Sequence, residues 1–370
     1  MRAALKIFFI LALVVVVLGG GYLIYRYIFK GTLPLAQSPV AQAPATTTQT
    51  QQAQGVKLFS QQLIFDYWVN TKTNAVYIVT PEGKIIKTFG DGREEVVSSQ
   101  TLGGLHRVDP APDGMRALVQ FSYPSSDIFA VFDTETKSWE RLPAGTVMAT
   151  LDPTGQKIAY VRRNNGVSSL FILSLADKKT VEVLRLAVVD GLLSWKGADE
   201  ITVLPIPEAR FSANALTVNI AKKSVRKVNL GAMFLQNTNG SLGLKLLPPN
   251  GSPAELRVVR ANDGFERQLT FITIPSKCGF DGVAALYCGV PIEFPSRSVI
   301  PDDYLKESFF SRDALIKYSF ATGDEEELID PALQTVDIDH PTVKGKQLLF
   351  KNRYDEKLYA LELPVEAKKQ

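Results

Sequence analysis

Three features of the sequence predict an all-β fold. Turn glycines before an apolar run recur at Gly114, Gly155, Gly197, Gly240, Gly282 and Gly345, spaced 41, 42, 43, 42 and 63 residues apart. After each comes a strand-like stretch and then a second one, with its polar turn in most repeats, as in RALVQF followed by IFAVFDTETK, or IAYVRR followed by LFILSLADKK. No long helical periodicity is present after residue 30. A unit of about forty residues holding four antiparallel strands is one blade of a β-propeller, because so small a sheet buries its faces only against neighbouring copies. The expectation is therefore an all-β propeller of seven four-stranded blades, with six or eight as alternatives, preceded by one N-terminal transmembrane helix and a flexible linker.

The helix is assigned to residues 7–29, after a cytoplasmic tip of residues 1–6. Ile7 to Tyr25, IFFILALVVVVLGGGYLIY, are nineteen uncharged residues, enough at about 1.5 Å rise each to cross most of a bilayer core. A cleaved signal peptide is the rival reading. The glycine triplet inside the apolar run, and the aromatics Tyr22, Tyr25, Tyr27 and Phe29, favour an anchor. Arg2 and Lys6 oppose Arg26 and Lys30, so the flanking positive charges leave orientation nearly tied. Residues 30–56 form the linker: from 31 onward they carry no charge and are rich in Ala, Gln, Thr and Pro. Such a segment buries too little apolar surface to offset its ordering entropy. A globular body tethered in this way places the propeller, residues 57–364, outside the cytoplasm, anchored to the cytoplasmic membrane by a single pass. Residues 365–370 are a polar tail.

The formal charge of +3 comes from the first thirty residues, which hold four basic and no acidic side chains. The remainder has 37 basic residues (41 less 4) against 38 acidic ones, so a nucleic-acid partner is not expected. Cys278 and Cys288 flank the turn Phe280-Asp281-Gly282 and could face each other across a hairpin as a disulfide, which an extracytoplasmic compartment permits. Two cysteines with no histidine nearby argue against zinc.

Blade 1 is expected within 57–100, and blades 2 to 7 within 101–145, 146–188, 189–232, 233–272, 273–332 and 333–364. The last blade shows only three strands. The early stretch KLFSQQLIF, residues 57–65, could supply the fourth, closing the ring and covering an open sheet edge.

The segments DPAPDGMRALV, Asp109 to Val119, and LDPTGQKIAYV, Leu151 to Val161, resemble the TolB-like, WD40-like (PD40-type) propeller repeats. KCGFDGVAALYCGVP and PDDYLKESFFSRDALIKY are similar to membrane-anchored propellers of unknown function from uncultured bacteria. The first resemblance implies the fold. TolB itself carries an α/β domain before its propeller where this chain has a helix and tether, so the resemblance does not extend to TolB's partner, the peptidoglycan-associated lipoprotein.

Little in the sequence points to catalysis. His106 and His340 fall on predicted innermost strands with no cysteine or carboxylate cluster at metal spacing, so strand histidines satisfied by neighbours outweigh a channel ligand or base. No G-x-S-x-G elbow and no G-x-x-x-x-G-K-[ST] loop occurs. The run Asp324 to Glu327 is most simply a solvated turn, lacking the alternating oxygen spacing of a calcium loop. No cofactor or metal is expected, and no catalytic residue is assigned.

The strongest binding candidate is the insertion in blade 6, EFPSRSVIPDDYLKESFFSRD from Glu293 to Asp313. It joins a second strand to a third, so it lies on the face opposite the PDG turns. Its candidate binding residues are Arg297, Asp302, Asp303, Tyr304 and Lys306. The same face should receive Arg162, Arg163, Arg210, Arg353 and Tyr354, with Tyr123, Glu208 and Phe211, from other second-to-third loops. Aromatics and arginines suit recognition because they give large contact area and fork-shaped hydrogen bonding. Asp302 and Asp303 stand adjacent rather than across a sugar ring, which favours turn residues after Pro301 over a glycosidase pair. The functional expectation is a non-enzymatic, membrane-tethered propeller that binds an envelope protein or polymer; the alternative is a glycan-acting hydrolase or lyase.

Overall fold

The computed structural model describes residues 55–364 apart from 189, 207–208, 210–213, 230–233, 239–241, 248–253 and 261–263. The expected transmembrane helix, all but the end of the linker, and the tail lie outside the described residues. Among those described, no helix is long and apolar enough to cross a membrane.

The first strand is β1 (Lys57–Leu58). Blade 1 is β2 (Asp66–Asn70), β3 (Ala75–Val79), β4 (Ile85–Thr88) and β5 (Glu94–Ser98). Blade 2 is β6 (Arg107–Pro110), β7 (Arg116–Phe121), β8 (Ile128–Asp133) and β9 (Ser138–Arg141). Blade 3 is β10 (Thr146–Leu151), β11 (Lys157–Asn164), β12 (Val167–Ser174) and β13 (Thr180–Leu186). Blade 4 is β14 (Leu192–Lys196), β15 (Glu200–Leu204), β16 (Asn214–Asn219) and β17 (Ser224–Asn229). Blade 5 is β18 (Phe234–Thr238), β19 (Leu242–Leu247), β20 (Glu255–Arg260) and β21 (Glu266–Gln268). Blade 6 is β22 (Cys278–Asp281), β23 (Ala285–Pro291), β24 (Asp313–Ser319) and β25 (Glu325–Ile329). Blade 7 is β26 (Ile338–Lys344), β27 (Gln347–Asn352) and β28 (Lys357–Glu362), completed by β1 in the order β1-β28-β27-β26. Each of the seven sheets is four-stranded and antiparallel between neighbours.

The middle strands read as continuous apolar runs because both of their faces are covered by adjacent blades. In β3 all five residues, AVYIV, are buried. Outer strands face water on one side and are polar: β17, SVRKVN, is exposed except for one half-buried position. The run from Asp324 to Glu327, read as a turn, extends into β25, whose three glutamates are exposed on this outer strand. Apolar clusters join blade 1 to 2 through Tyr77 and Phe132, and blade 2 to 3 through Phe129 and Tyr160. Others join blade 6 to 7 through Tyr287 and Phe350, and blade 7 to 1 through Leu349 and Ile78.

Ring closure takes a shorter form than KLFSQQLIF suggests. Lys57 pairs with Ala360 and Leu58 with Tyr359, after which the chain leaves the ladder. Phe59 N still donates to Leu358 O at 2.8 Å, and Ile64 N to Glu356 O at 2.7 Å. Phe59 and Ile64 are buried, so apolar side chains seal the joint that backbone pairing begins. From Lys57 to Leu58 the chain runs toward the loop between β27 and β28. It therefore comes from the face that carries the PDG turns and proceeds toward the opposite one.

The PDG turn of blade 2 is scaffold. Gly114 has φ +66°, and a Cβ there would stand 2.1 Å from Val69 O. Only glycine fits both the left-handed backbone and the close approach. Trp68 Nε1 donates to Gly114 O at 3.1 Å and Thr71 N to Asp113 O at 3.0 Å, pinning the turn to blade 1. Arg116, just beyond the turn, donates to Gly155 O at 2.8 Å and so reaches the equivalent turn of blade 3.

Cys278 and Cys288 stand directly opposite each other on β22 and β23 and form a disulfide, with Cα atoms 4.1 Å apart.

Candidate functional site

The insertion joins β23 to β24 on the face opposite the PDG turns, as the strand order requires. Its only helical turn is α1 (Asp302–Leu305). Pro301 presets the backbone, and Asp303 Oδ2 accepts from Val299 N at 2.7 Å, closing the turn that precedes the helix. Asp302 Oδ1 accepts from Ala209 N of blade 4 at 2.8 Å. The insertion thus bridges blades that are not neighbours in the ring.

Tyr304 holds the other side of α1. Its ring is buried between two cations, with Lys277 Nζ 4.7 Å and the Arg353 guanidinium 4.2 Å from the centroid. Arg353 also lies 5.3 Å from the centroid of Phe310. Lys277, fully buried, donates to Asp337 Oδ1 at 2.6 Å and Ser311 Oγ at 3.0 Å, and pairs with Asp313 Oδ2 at 2.7 Å. Arg353 Nη1 donates to the second oxygen of Asp337 at 3.2 Å. Two cations and two carboxylates make this cluster neutral, which is what a buried ionic group needs. Burial pushes the Asp313 carboxyl above its ordinary value, with Lys277 opposing the shift, and burial raises the Tyr304 phenol well above its own.

The structure therefore divides the residues expected at a recognition surface. Tyr304 and Arg353 are withdrawn from solvent and serve as anchors of the insertion, because an aromatic ring between two cations satisfies their charge at low exposure. Asp302 and Asp303 tie the turn through backbone amides. Arg162 lies over the Phe171 ring at 5.2 Å. Tyr354 is exposed and stacks on Phe310 with centroids 5.5 Å apart. Arg297 is exposed at φ +73°. Arg163 and Lys306 are exposed and line a common cavity. Arg210, Glu208 and Phe211 lie outside the described residues. Sequence reasoning missed Lys277, Ser311 and Asp337, because a lysine beside a cysteine carries no signal of burial.

The cavity has a volume of about 880 Å³ and lies between blades 2, 3 and 4 and the underside of α1. Leu118, Phe129, Met148 and Leu193 are among its apolar walls, and Tyr123, Ile206 and Leu305 reach it while remaining about half exposed. His106, also exposed, stacks on Tyr123 with centroids 4.1 Å apart and an interplanar angle of 23°. Arg107 pairs with Asp109 at 3.1 Å, and Gln120 Nε2 donates to Asp127 at 2.8 Å.

His340 is satisfied by a neighbour. On the innermost strand of blade 7 it has φ +54°, and its Nδ1 lies 2.7 Å from Asp66 Oδ1 on the innermost strand of blade 1. The Asp66 carboxylate beside it raises the imidazole pKa to about 9 against burial, with Asp339 and Asp109 adding to the rise. The raised value favours the protonated, donating form of the ring beside Asp66. Because the folded value lies above the ordinary 6.5, the stabilisation is complete below about pH 6.5 and is lost as pH rises through about 9. Denaturant titrations from pH 6 to 10 should show the wild-type chain losing stability over that interval. His340→Asn, which tolerates the left-handed backbone, should lose less; equal slopes would exclude this pair as the cause.

Among the described residues no group of three or more His, Cys, Asp or Glu is placed to hold a metal ion.

No family model matches the chain, and no curated protein does. Solved structures do match. An oligogalacturonate lyase in complex with manganese superposes with a TM-score of 0.54 at 14% identity, covering 83% of this chain and 89% of that one. An uncharacterized protein from Listeria monocytogenes EGD-e gives 0.54 at 10%, over 84% and 99%. TolB from Acinetobacter baumannii gives 0.40 at 12%, over 80% of this chain and 62% of that one, so this chain spans less than two thirds of TolB. The likeness is one of fold, and it accords with the seven four-stranded sheets counted above: the chain is a seven-bladed β-propeller.

Proposed function

We propose that the protein is a non-enzymatic binding module whose partner docks on the insertion-bearing face. One observation carries the reading: the blade 6 insertion is held by Tyr304 on one side and tied to Ala209 of blade 4 on the other, roofing the cavity beside it. A surface insertion fixed this firmly is a built feature of the fold and not a slack loop. Exposed Tyr123, Ile206, Leu305, Phe310 and Tyr354 come to this face from four blades. Large apolar side chains left in water by several separate elements are what a partner would cover.

The expected tether of residues 7–29 and 30–56 fits the same reading. The described chain begins on the PDG-turn side of blade 7, so the insertion-bearing face is remote from the point of attachment. A partner in the cell envelope, outside the cytoplasmic membrane, is the proposed setting.

Photo-crosslinking of the intact chain in its native membrane tests the proposal. Leu305→Glu, at an exposed side chain, is expected to abolish the crosslinked species while leaving the thermal melt unchanged. Retention of the same crosslinks in that variant would show the face to be wrong. Deleting Ser296 to Ser308 is a poorer control, because it also removes buried Tyr304.

A further inference from the structure

We infer that the outer edge of blade 4 docks on an anionic lipid bilayer through Lys222, Lys223, Arg226 and Lys227. This rests on the proposed tether and not on the proposed binding face, which lies on the other side of the ring.

The repeat supplies the first argument. A lysine at positive φ stands in the turn from third to fourth strand in blades 2, 3 and 4: Lys137 at +54°, Lys178 at +60° and Lys223 at +49°. In blades 2 and 3 it reaches back to a glutamate on the outer strand of the preceding blade. Lys137 pairs with Glu95 of β5 at 2.5 Å, and Lys178 pairs with Glu140 of β9. Lys223 makes no such pair among the described residues, and Glu182 of β13 pairs instead with Arg185 of its own strand at 3.9 Å. The outer strand reverses sign as well. Glu140 stands opposite Val131 in the β8–β9 ladder, and the same place in the β16–β17 ladder, opposite Thr217, is held by Arg226.

The result is a concentration of unpaired positive charge. Lys222, Lys223, Arg226 and Lys227 are all exposed, and none has a carboxylate partner among the described residues. No acidic residue lies between Ile220 and Asn229. Against these four cations stand Asp199 and Glu200 at the neighbouring turn of the blade, which leaves two positive charges in excess (4 less 2). Asn219 Oδ1 accepts from Lys222 N at 2.7 Å, so the turn that presents them is built into the hairpin.

Position and chemistry name the occupant. The β16–β17 turn joins a third strand to a fourth, so it lies on the PDG-turn face, the side from which the chain enters the ring at Lys57. A tether entering there brings this face, and not the insertion-bearing one, toward the membrane. Arg226 and Lys227 stand about 10 to 13 Å further along the strand than Lys223. That is on the order of one Debye length at physiological salt, so all four cations feel the same charged surface. Val225, among them, is about half exposed. A bilayer interface takes both kinds of side chain, the cations at its phosphates and the apolar group just beneath.

Lysine acetylation read by mass spectrometry, on the full chain in lipid nanodiscs, tests this. One set of discs is phosphatidylcholine alone, and in the other about a third of the lipid is phosphatidylglycerol. At low salt Lys222, Lys223 and Lys227 are expected to react at least about threefold more slowly in the anionic discs, and to recover at about 0.5 M salt. Lys306, exposed on the opposite face, should react alike in both. Lys223→Glu with Arg226→Glu, at exposed positions, should restore fast labelling of Lys222 and Lys227 in the anionic discs with an unchanged thermal melt. Equal rates in the two kinds of disc, or protection that survives the double variant, would overturn the inference. So would polyglutamate slowing the same lysines as strongly on neutral discs, which would make the patch a site for an acidic protein. A chain that enters neither kind of disc would remove the tether and the inference with it, while the crosslinks sensitive to Leu305→Glu would still decide the opposite face.

Discussion

Replacing Lys277 by methionine is expected to lower the free energy of unfolding by about 3–5 kcal/mol, the usual cost of stranding buried charges by removing their partner. Lys277 Nζ lies 2.6 Å from Asp337 and 2.7 Å from Asp313, and all three side chains are inaccessible to solvent. Without the cation, Asp313 has no other positive contact among the described residues, whereas Asp337 keeps Arg353 at 3.2 Å and the Ser311 amide at 2.9 Å. Asp313→Asn should cost less, because Lys277 retains Asp337 and an amide oxygen can still accept from Ile338 N, now at 2.7 Å. Urea midpoints would rank the two variants. A Lys277→Met midpoint equal to that of wild type would mean that the cluster does not hold the insertion. The same loss should loosen Tyr304 and with it α1, so partner binding at this face should fall with stability.

The second large effect is expected at the ring closure. Phe59→Ala should cost about 3–5 kcal/mol and Ile64→Ala about 2–5 kcal/mol, the range for emptying buried sites of that size. Phe59 packs with Ile64, Leu349 and Leu358, where blade 7 meets blade 1. Beneath this seal, among the described residues, only Lys57 and Leu58 pair with β28. Weakening the seal should also release the edge of β28, a row of unpaired backbone groups able to template another chain. Size-exclusion chromatography at rising concentration should therefore show association of the double variant. A destabilised chain that stays monomeric would separate the packing contribution from protection of the edge.

The repeat was legible because it rests on local chemistry. Gly114 and Gly155 mark turns that only a residue free to adopt positive φ can make, here +66° at both positions. The apolar runs after them mark strands covered on both faces. Placement of the insertion was legible for a related reason: the strand order of an up-and-down blade assigns the loop between β23 and β24 to one face whatever its residues are. Pairing of Cys278 with Cys288 was likewise accessible from their spacing about a turn.

The roles of the insertion's side chains were not legible, and Tyr304 and Arg353 show why. Both residue types are favoured at binding surfaces, and both also serve well beside buried charge. The choice depends on Lys277, Asp313 and Asp337, which are separated from Arg353 by 16 to 76 residues in the chain and meet it only across blades 6 and 7. Arg163 and Lys306 are likewise joined only by the cavity that blades 2, 3 and 4 form with α1. His340 reads as a strand histidine, and its charged state follows from Asp66, 274 residues away.

Period, turn chemistry and strand order are properties of neighbouring residues, so composition along the chain settles the propeller and the face on which its insertion stands. Burial and charge pairing depend on what the closed ring brings together. A fully buried ammonium group must find its carboxylates wherever the fold supplies them, and that requirement turned Tyr304 and Arg353 into anchors, whereas Arg163 and Lys306 stay exposed at the cavity.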